Sequence, residues 1–297
     1  MLLDARKGEA LLAVIDSGSF EQAAIHLHLT PSAVSQRVRA MEEQLGMPLV
    51  LRGRPCRATP AGQRLVQYLR RSSLLEDEFV SQWQEASGRH LSVPLAVSND
   101  TLATWLLPAL AEFLVAEQLL VDITVDDQDH TYTWLQSGHA VAGVSSEPLP
   151  MRGCLAHSLG IMRYRLLATP AFVARWLPRG LDREAARQAP LMVFDRKDGL
   201  QAEFLQNQLG LPPGSYPCHY VPASEPFLQA IRLGLGYGMV PELQFGTALQ
   251  SGELIDLAPS QPCDVALYWH CWRVQSPKLE ALSAEVLRAA RTVLIQL

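Results

Sequence analysis

Residues 29–46 read LTPSAVSQRVRAMEEQLG, and this stretch decides what the N-terminal part of the chain is. Thr30 suits a helix cap because its hydroxyl can accept a first-turn N–H, and Pro31 suits the first helical position because its missing N–H leaves nothing unpaired. A helix is predicted from Pro31. Val34, Val38, Met41 and Leu45 share one face of a 3.6-residue helix, and Gly46 marks its end. The other face carries Ser32, Ser35, Gln36 and Arg39 in its first two turns. Solvent does not require that choice. Gln pairs bidentately with adenine, Arg with guanine, and Ser with a base edge or a phosphate.

Outward from this helix, Ala10, Leu11, Val14 and Ile15 form an earlier apolar face closed by Gly18, and Ser19 with Gln22 has the form of a capping box. A second short helix follows, with Ala23, Ala24 and Leu27 facing inward. Three short helices over 4–45, two of them crossing closely at small residues, predict a helix-turn-helix with the third helix offered to a DNA major groove. MPLVLRGRPCRATPAG then gives two extended pieces around Gly53 and Pro55, a wing whose Arg52, Arg54 and Arg57 suit phosphate contacts. Thr59 and Pro60 start a long helix running to about residue 87. Its Leu65, Tyr68, Leu75 and Phe79 fall at coiled-coil spacing, and Trp83 adds apolar surface, so the helix predicts chain pairing.

Residues 1–71 hold ten Lys or Arg against six Asp or Glu, an excess of four, so the remainder carries minus nine of the net −5. A basic head on an acidic body suggests an anionic partner for one and a cationic partner for the other. The 297 residues, 48% hydrophobic, suit two or three globular domains. No signal pattern or apolar run long enough for a membrane span is present, which reads as cytoplasmic. Cys56, Cys154, Cys218, Cys263 and Cys271 are scattered without a CxxC and read as buried thiols, not a disulfide framework or a zinc site.

From residue 91, strand-like runs (92–98, 120–125, 140–145, 190–194, 217–221, 264–272) alternate with helical ones (101–116, 199–209, 225–234, 278–296). The alternation predicts an α/β fold with mainly parallel sheets, its ligand site beyond the carboxyl ends of the strands. MRYRLLATP near 162–170 and CDVALYWHCWR near 263–273 read as paired crossings between two lobes. The domains are then 1–60, a DNA-binding head; 61–90, a linker and dimerisation helix; and 91–297, a two-lobed domain with lobe I at 91–163 and 267–297 and lobe II at 164–266.

Residues 4–60 resemble the winged helix-turn-helix of LysR-type transcriptional regulators. The carrying residues are Ser19-Phe20, Ala23-Ala24, Thr30 to Gln36, Leu45-Gly46, Leu49, Arg52 and Thr59 to Gly62. The likeness extends over the whole chain, and it implies a linker helix and an effector domain similar to periplasmic binding proteins. NDTLATWLLPAL, FDRKDGLQ, GLGYGMVPE and ALYWHCWR resemble the lysine- and arginine-responsive branch of ArgP and LysG type, which controls basic amino-acid export. One departure is Gln36, where the family often has arginine, and it bears on the operator sequence.

The expected DNA contacts are Thr30, Pro31, Ser32, Ser35, Gln36 and Arg39 for sequence, with Ser19, Arg52 and Arg54 for positioning. The expected effector contacts lie at strand ends and helix starts: Asp100, Thr101, Asp127, Ser145, Asp195, Arg196, Asp198, Ser224 and Glu225. Capping explains any one of these equally well. GLGYG at 234–238 lacks the GxGxxG context and reads as a turn, and His270 between Trp269 and Trp272 reads as packing. No catalytic motif, metal or cofactor is indicated. The reading is a dimeric or tetrameric regulator that binds double-stranded DNA and a small effector, lysine or arginine, without a membrane. Its rival is a nucleoid or replication-associated DNA-binding protein that acts without an effector.

Overall fold

The computed structural model describes residues 4–83, 90–126 and 131–296. Contacts group the chain into two compact units, Met1–Leu91 with Thr133–Val141, and Ser92–Tyr132 with Ala142–Leu297.

The first unit opens with α1 (Ala5–Ser17), α2 (Phe20–His26) and α3 (Pro31–Leu45). Thr30 Oγ1 accepts the Ala33 N–H at 3.2 Å, and Gly46 closes α3 in the left-handed region at φ 69°, as the sequence predicts. Ser19 caps α2, but the expected box is replaced. Its hydroxyl accepts from the N–H groups of Glu21 and Gln22 and donates to the Glu21 carboxylate at 2.7 Å, while the Ser19 N–H points to Ser17 Oγ at 3.4 Å. Leu11, Val14, Ala23, Ala24, Val34, Val38 and Met41 form the buried core of the three helices. Each large aliphatic side chain so buried contributes about 1.5–3 kcal/mol.

The wing is β1 (Val50–Leu51) antiparallel to β2 (Arg57–Ala58), with Val50 opposite Ala58. Glu42 ties it to α3, since its Oε1 accepts the N–H groups of Leu49 at 2.8 Å and Val50 at 3.2 Å. The linker helix α4 (Pro60–Trp83) starts against the same hairpin. The Thr59 hydroxyl donates to the Pro48 carbonyl at 2.7 Å and accepts the Gly62 N–H at 3.0 Å. A Cβ on Gly62 would lie 2.0 Å from the Leu49 carbonyl oxygen, so only hydrogen fits there.

Along α4, Leu65 packs on the head core, whereas Tyr68, Leu75 and Phe79 are exposed. The apolar stripe open to a partner therefore begins after Leu65. Continuation of this helix to residue 87 lies outside the described residues, as does the Trp83 side chain. Residues 133–141 complete the unit: Gln63 Nε2 donates to the Gln136 carbonyl at 2.9 Å, and Arg70 donates to the Ser137 carbonyl.

The rest of the chain runs β3 (Ser92–Val97), α5 (Asn99–Thr101), a π-helical turn (Leu102–Leu106), α6 (Leu107–Ala116), β4 (Leu120–Val125), α7 (Thr131–Ser137) and β5 (Ala142–Ser145). It continues through β6 (Cys154–Ala168), α8 (Pro170–Trp176), α9 (Arg183–Gln188), β7 (Leu191–Val193), α10 (Leu200–Leu209), β8 (Cys218–Tyr220) and α11 (Ser224–Arg232). It ends with β9 (Gly238–Pro241), α12 (Glu242–Phe245), β10 (Ile255–Asp256), β11 (Cys263–Trp272) and α13 (Pro277–Val293).

The expectation of mainly parallel sheets needs correction. β3 is parallel to both β4 and β5, and β7 to β8, but the main seven-stranded sheet, ordered β10-β6-β11-β5-β3-β4 with β9 on β6, is mixed. β6 and β11 lie antiparallel, with Tyr164 opposite Cys263 and Cys154 opposite Trp272. The reason is topological. A chain that leaves one lobe on one strand and returns on its neighbour must run the two in opposite directions. The 162–170 crossing is accordingly the end of a 15-residue strand.

GLGYG is a turn, with Gly234 at φ 74° after α11 and before β9. Trp269 is buried, its indole N–H donating to Ser283 Oγ at 3.0 Å, and His270 Nε2 lies 2.7 Å from the Glu147 carbonyl. Cys56, Cys154 and Cys271 are buried free thiols, while Cys218 and Cys263 are half-buried rather than buried. Among the described residues no three His, Cys, Asp or Glu side chains converge on a metal site, and no helix is long and apolar enough to cross a membrane.

Candidate functional site

Two surfaces carry chemistry. On the first unit, the apolar side of α3 is fixed by Val34, Val38 and Met41, which turns Ser32, Gln36 and Arg39 outward and leaves Ser35 half-buried beside them. Thr30 and Pro31 stand exposed at the start of that helix. Arg52 and Arg54 are exposed on the wing, and the Arg52 guanidinium lies over the Phe20 ring at 5.2 Å. This contact holds a flexible cation in place. The Cys56 N–H donates to the Gly18 carbonyl at 2.7 Å, joining wing and α1–α2 turn. Ser19 is half-buried and its hydroxyl is engaged in the α2 cap, where it holds the Glu21 carboxyl below its usual range. Its hydroxyl is taken up by that cap.

On the second unit, a cleft with about 570 Å³ of space, its open mouth included, lies among β3, α5, β4, β6, α10, α11 and β9. Ser98, which accepts the Thr101 N–H, lines it, and a π-helical turn follows α5. Single π turns within α-helices frequently mark functional sites. Asp100, Asp126 and Asp198 supply carboxylates to the lining, with Tyr164, Gln201, Ser224 and Gln244 as further polar groups and Phe194, Phe227 and Met239 as apolar walls.

The carboxylates have different surroundings. Asp100 accepts hydrogen bonds from Tyr164 Oη at 2.9 Å and from Ser224 Oγ, so it joins lobe I to the start of α11 in lobe II. Burial raises its pKa against the lowering effect of the Ser224 and Tyr164 hydroxyls. Burial and the adjacent Asp100 charge push the Tyr164 phenol well above its ordinary value, so it stays a donor at neutral pH. Asp198 accepts the N–H groups of Phe194 at 3.1 Å and Leu200 at 3.0 Å, and the Gln201 amide, with its nitrogen turned inward, reaches both carboxylate oxygens at 2.9 and 3.1 Å. Asp126 sits just past β4 and pairs at 3.4 Å with the ammonium of Lys197.

Of the expected effector residues, Asp100, Asp198 and Ser224 come together in this cleft. Thr101 is fully buried, its hydroxyl accepting from Ser98 Oγ at 3.0 Å. Ser145 is also buried, and its oxygen accepts the Glu147 N–H at 3.1 Å. Asp195 caps the following turn, accepting the Lys197 N–H at 2.6 Å and the Asp198 N–H at 3.0 Å. Arg196 lies over the Tyr220 ring at 4.9 Å, and Glu225 is exposed at the start of α11. These residues do not line the cleft. Asp127 lies outside the described residues. Sequence reasoning missed Asp126, one residue short of the expected strand-end acid, and Tyr164, Gln201, Phe227 and Met239, which become neighbours only through long-range pairing.

A profile of bacterial regulatory helix-turn-helix proteins of the lysR family matches residues 6–63, and a LysR substrate binding domain profile matches residues 86–291. The chain belongs to the LysR-type transcriptional regulators. It is 40% identical over 286 residues to the HTH-type transcriptional regulator ArgP of Aeromonas salmonicida, covering 96% of each chain. With ArgP of Klebsiella pneumoniae (strain 342) it shares 41% over 293 residues, 99% of this chain and 98% of the relative. Among solved structures it resembles ArgP from Mycobacterium tuberculosis, with a TM-score of 0.85 and 39% identity over 99% of both chains. It also resembles full-length LysG from Corynebacterium glutamicum with bound effector Arg, with a TM-score of 0.78 and 36% identity over 99% of this chain and all of that one. As a LysR-type regulator, the protein binds DNA through its helix-turn-helix and responds to a small effector through its two-lobed domain.

Proposed function

We propose that this LysR-type regulator takes lysine or arginine in the cleft, binds operator DNA as a homodimer or tetramer in the cytoplasm, and controls basic amino-acid export or metabolism. The observation that carries the effector reading is the cleft lining, which among the described residues has three carboxylates and no lysine, arginine or histidine. The ArgP-named relatives and the arginine in LysG point the same way. A basic amino acid carries two cations and one carboxylate, so its site needs separated acids and one anion donor. Asp100 suits the α-ammonium group, with the side-chain cation further along. The carboxylate suits the start of α11, where Ala223 provides no side-chain cap and Pro226 has no N–H, leaving the first-turn N–H groups of Ser224 and Glu225 to meet an anion. A glutamate effector would add a further carboxylate to a lining that already holds three, and leucine brings no side-chain cation to it.

Calorimetry with lysine, arginine, leucine and glutamate tests the reading. A basic amino acid binds best, and Asp100→Asn weakens it. Tighter binding of leucine or glutamate than of either basic amino acid would count decisively against it.

A further inference from the structure

We propose that Lys197 is a built-in competitor for the effector: its ammonium occupies Asp126, the carboxylate that receives the side-chain cation of a bound basic amino acid, and must be displaced for the ligand to seat. This rests on the basic amino-acid reading above and deepens it.

The assignment follows from how the cleft carboxylates are engaged. Asp100 is held by two hydroxyls deep in the cleft. Asp198 is bonded to the backbone of its own loop at Phe194 and Leu200, so a ligand that drew it away would unmake that loop. Asp126 has a cation opposite it, and this cation is a primary ammonium on a four-carbon stem, the same group that free lysine carries. The pair is held loosely. It spans 3.4 Å, and the Lys197 side chain is 53% exposed while Asp126 is 22% exposed. Ion pairs with an exposed partner contribute little and exchange readily.

The loop is also built to present this residue. Asp195 fixes the turn by accepting the Lys197 and Asp198 N–H groups, and the neighbouring cation, Arg196, is turned aside onto Tyr220. A tethered ammonium competes at a local concentration on the order of millimolar, and the apparent affinity of a free cation falls to its intrinsic value multiplied by the fraction of time Asp126 is free of Lys197. A neutral side chain gains nothing by displacing Lys197. The lysine therefore sets the threshold for basic effectors while leaving neutral ones excluded.

The test is calorimetric titration of the full-length protein with lysine, arginine and leucine in four forms: wild type, Lys197→Gln, Asp126→Asn and the double variant. Lys197→Gln should tighten lysine and arginine by about 3- to 10-fold and leave leucine as weak as in wild type. Asp126→Asn should weaken both basic ligands by about tenfold or more, and in that background Lys197→Gln should change nothing. Equal or weaker binding of basic ligands by Lys197→Gln, or a gain that persists on Asp126→Asn, overturns the competitor role while the effector reading stands. A wild type that binds neither basic amino acid removes the effector reading itself, and the competitor role with it.

Discussion

Arg70 of α4 pairs through its guanidinium with the Asp16 carboxylate of α1, and the same guanidinium donates to the Ser137 carbonyl. His139 Nε2 stands 3.3 Å from the Asp16 oxygen. Burial would raise the Asp16 carboxyl, but the His139 hydrogen bond and the Arg70 charge outweigh it and hold it below its usual 3.8. Because the folded value is depressed, the stabilisation is present in full above the unfolded value and is lost as pH falls through the folded one. Asp16 is half-exposed, which limits the effect to about 0.5–1 kcal/mol. Urea unfolding should show Asp16→Asn less stable than wild type at neutral pH, the two converging as pH drops below 3.8.

Gln36→Ala and Ser35→Ala should each lower operator affinity by about 1–3 kcal/mol without affecting the fold, since neither belongs to the core. Arg52→Ala should weaken all DNA sequences alike and flatten the salt dependence by about one phosphate contact. Titrations of an operator and a random duplex at several salt concentrations distinguish these outcomes. The same data measure the specificity ratio, which a protein acting without operator preference would not show.

Tyr164→Phe removes one of two hydroxyls that hold the buried Asp100 carboxylate. A loss of about 1–3 kcal/mol is expected, because a buried acceptor loses its donor while the ring volume is kept. Thermal unfolding of the effector domain reads the change. A stability equal to wild type would show that the Tyr164 hydroxyl contributes nothing to holding the lobes.

The exposed stripe of α4, with Tyr68 at 56%, Leu75 at 46% and Phe79 at 63% exposure, is the surface available to a second copy. Leu75→Glu with Phe79→Glu should shift the full-length protein toward monomer in analytical ultracentrifugation at micromolar concentration. An unchanged assembly would move the pairing surface to the other unit.

The helices of the head were legible because their signals are local: Thr30, Pro31 and Gly46 lie within or beside the helix they bound. The Leu65 role was misread because its spacing fits both a seam and a core, and only the packed head decides between them. Strand positions in the second unit were legible from alternation, but the direction of β6 against β11 depends on where the chain crosses between lobes. The cleft was half legible. Asp100, Asp198 and Ser224 stood at the expected strand ends and helix starts, while Thr101 and Ser145 had their polar atoms taken by Ser98 and Glu147, neighbours a cap rule does not weigh. Tyr164 meets Asp100 from 64 residues away, a distance at which a single sequence carries no local trace.

The missing side chain at Gly62 sets how this molecule can be taken apart and recombined. With the Leu49 carbonyl pressed on the first turn of α4, a DNA reader cut after residue 60 would lose the surface its wing is seated on. The portable module is the head together with its long helix. A chimera that grafts this reader onto a foreign sensor should carry its junction beyond Trp83, and one that splices at residue 60 inherits whatever the incoming helix places opposite Leu49.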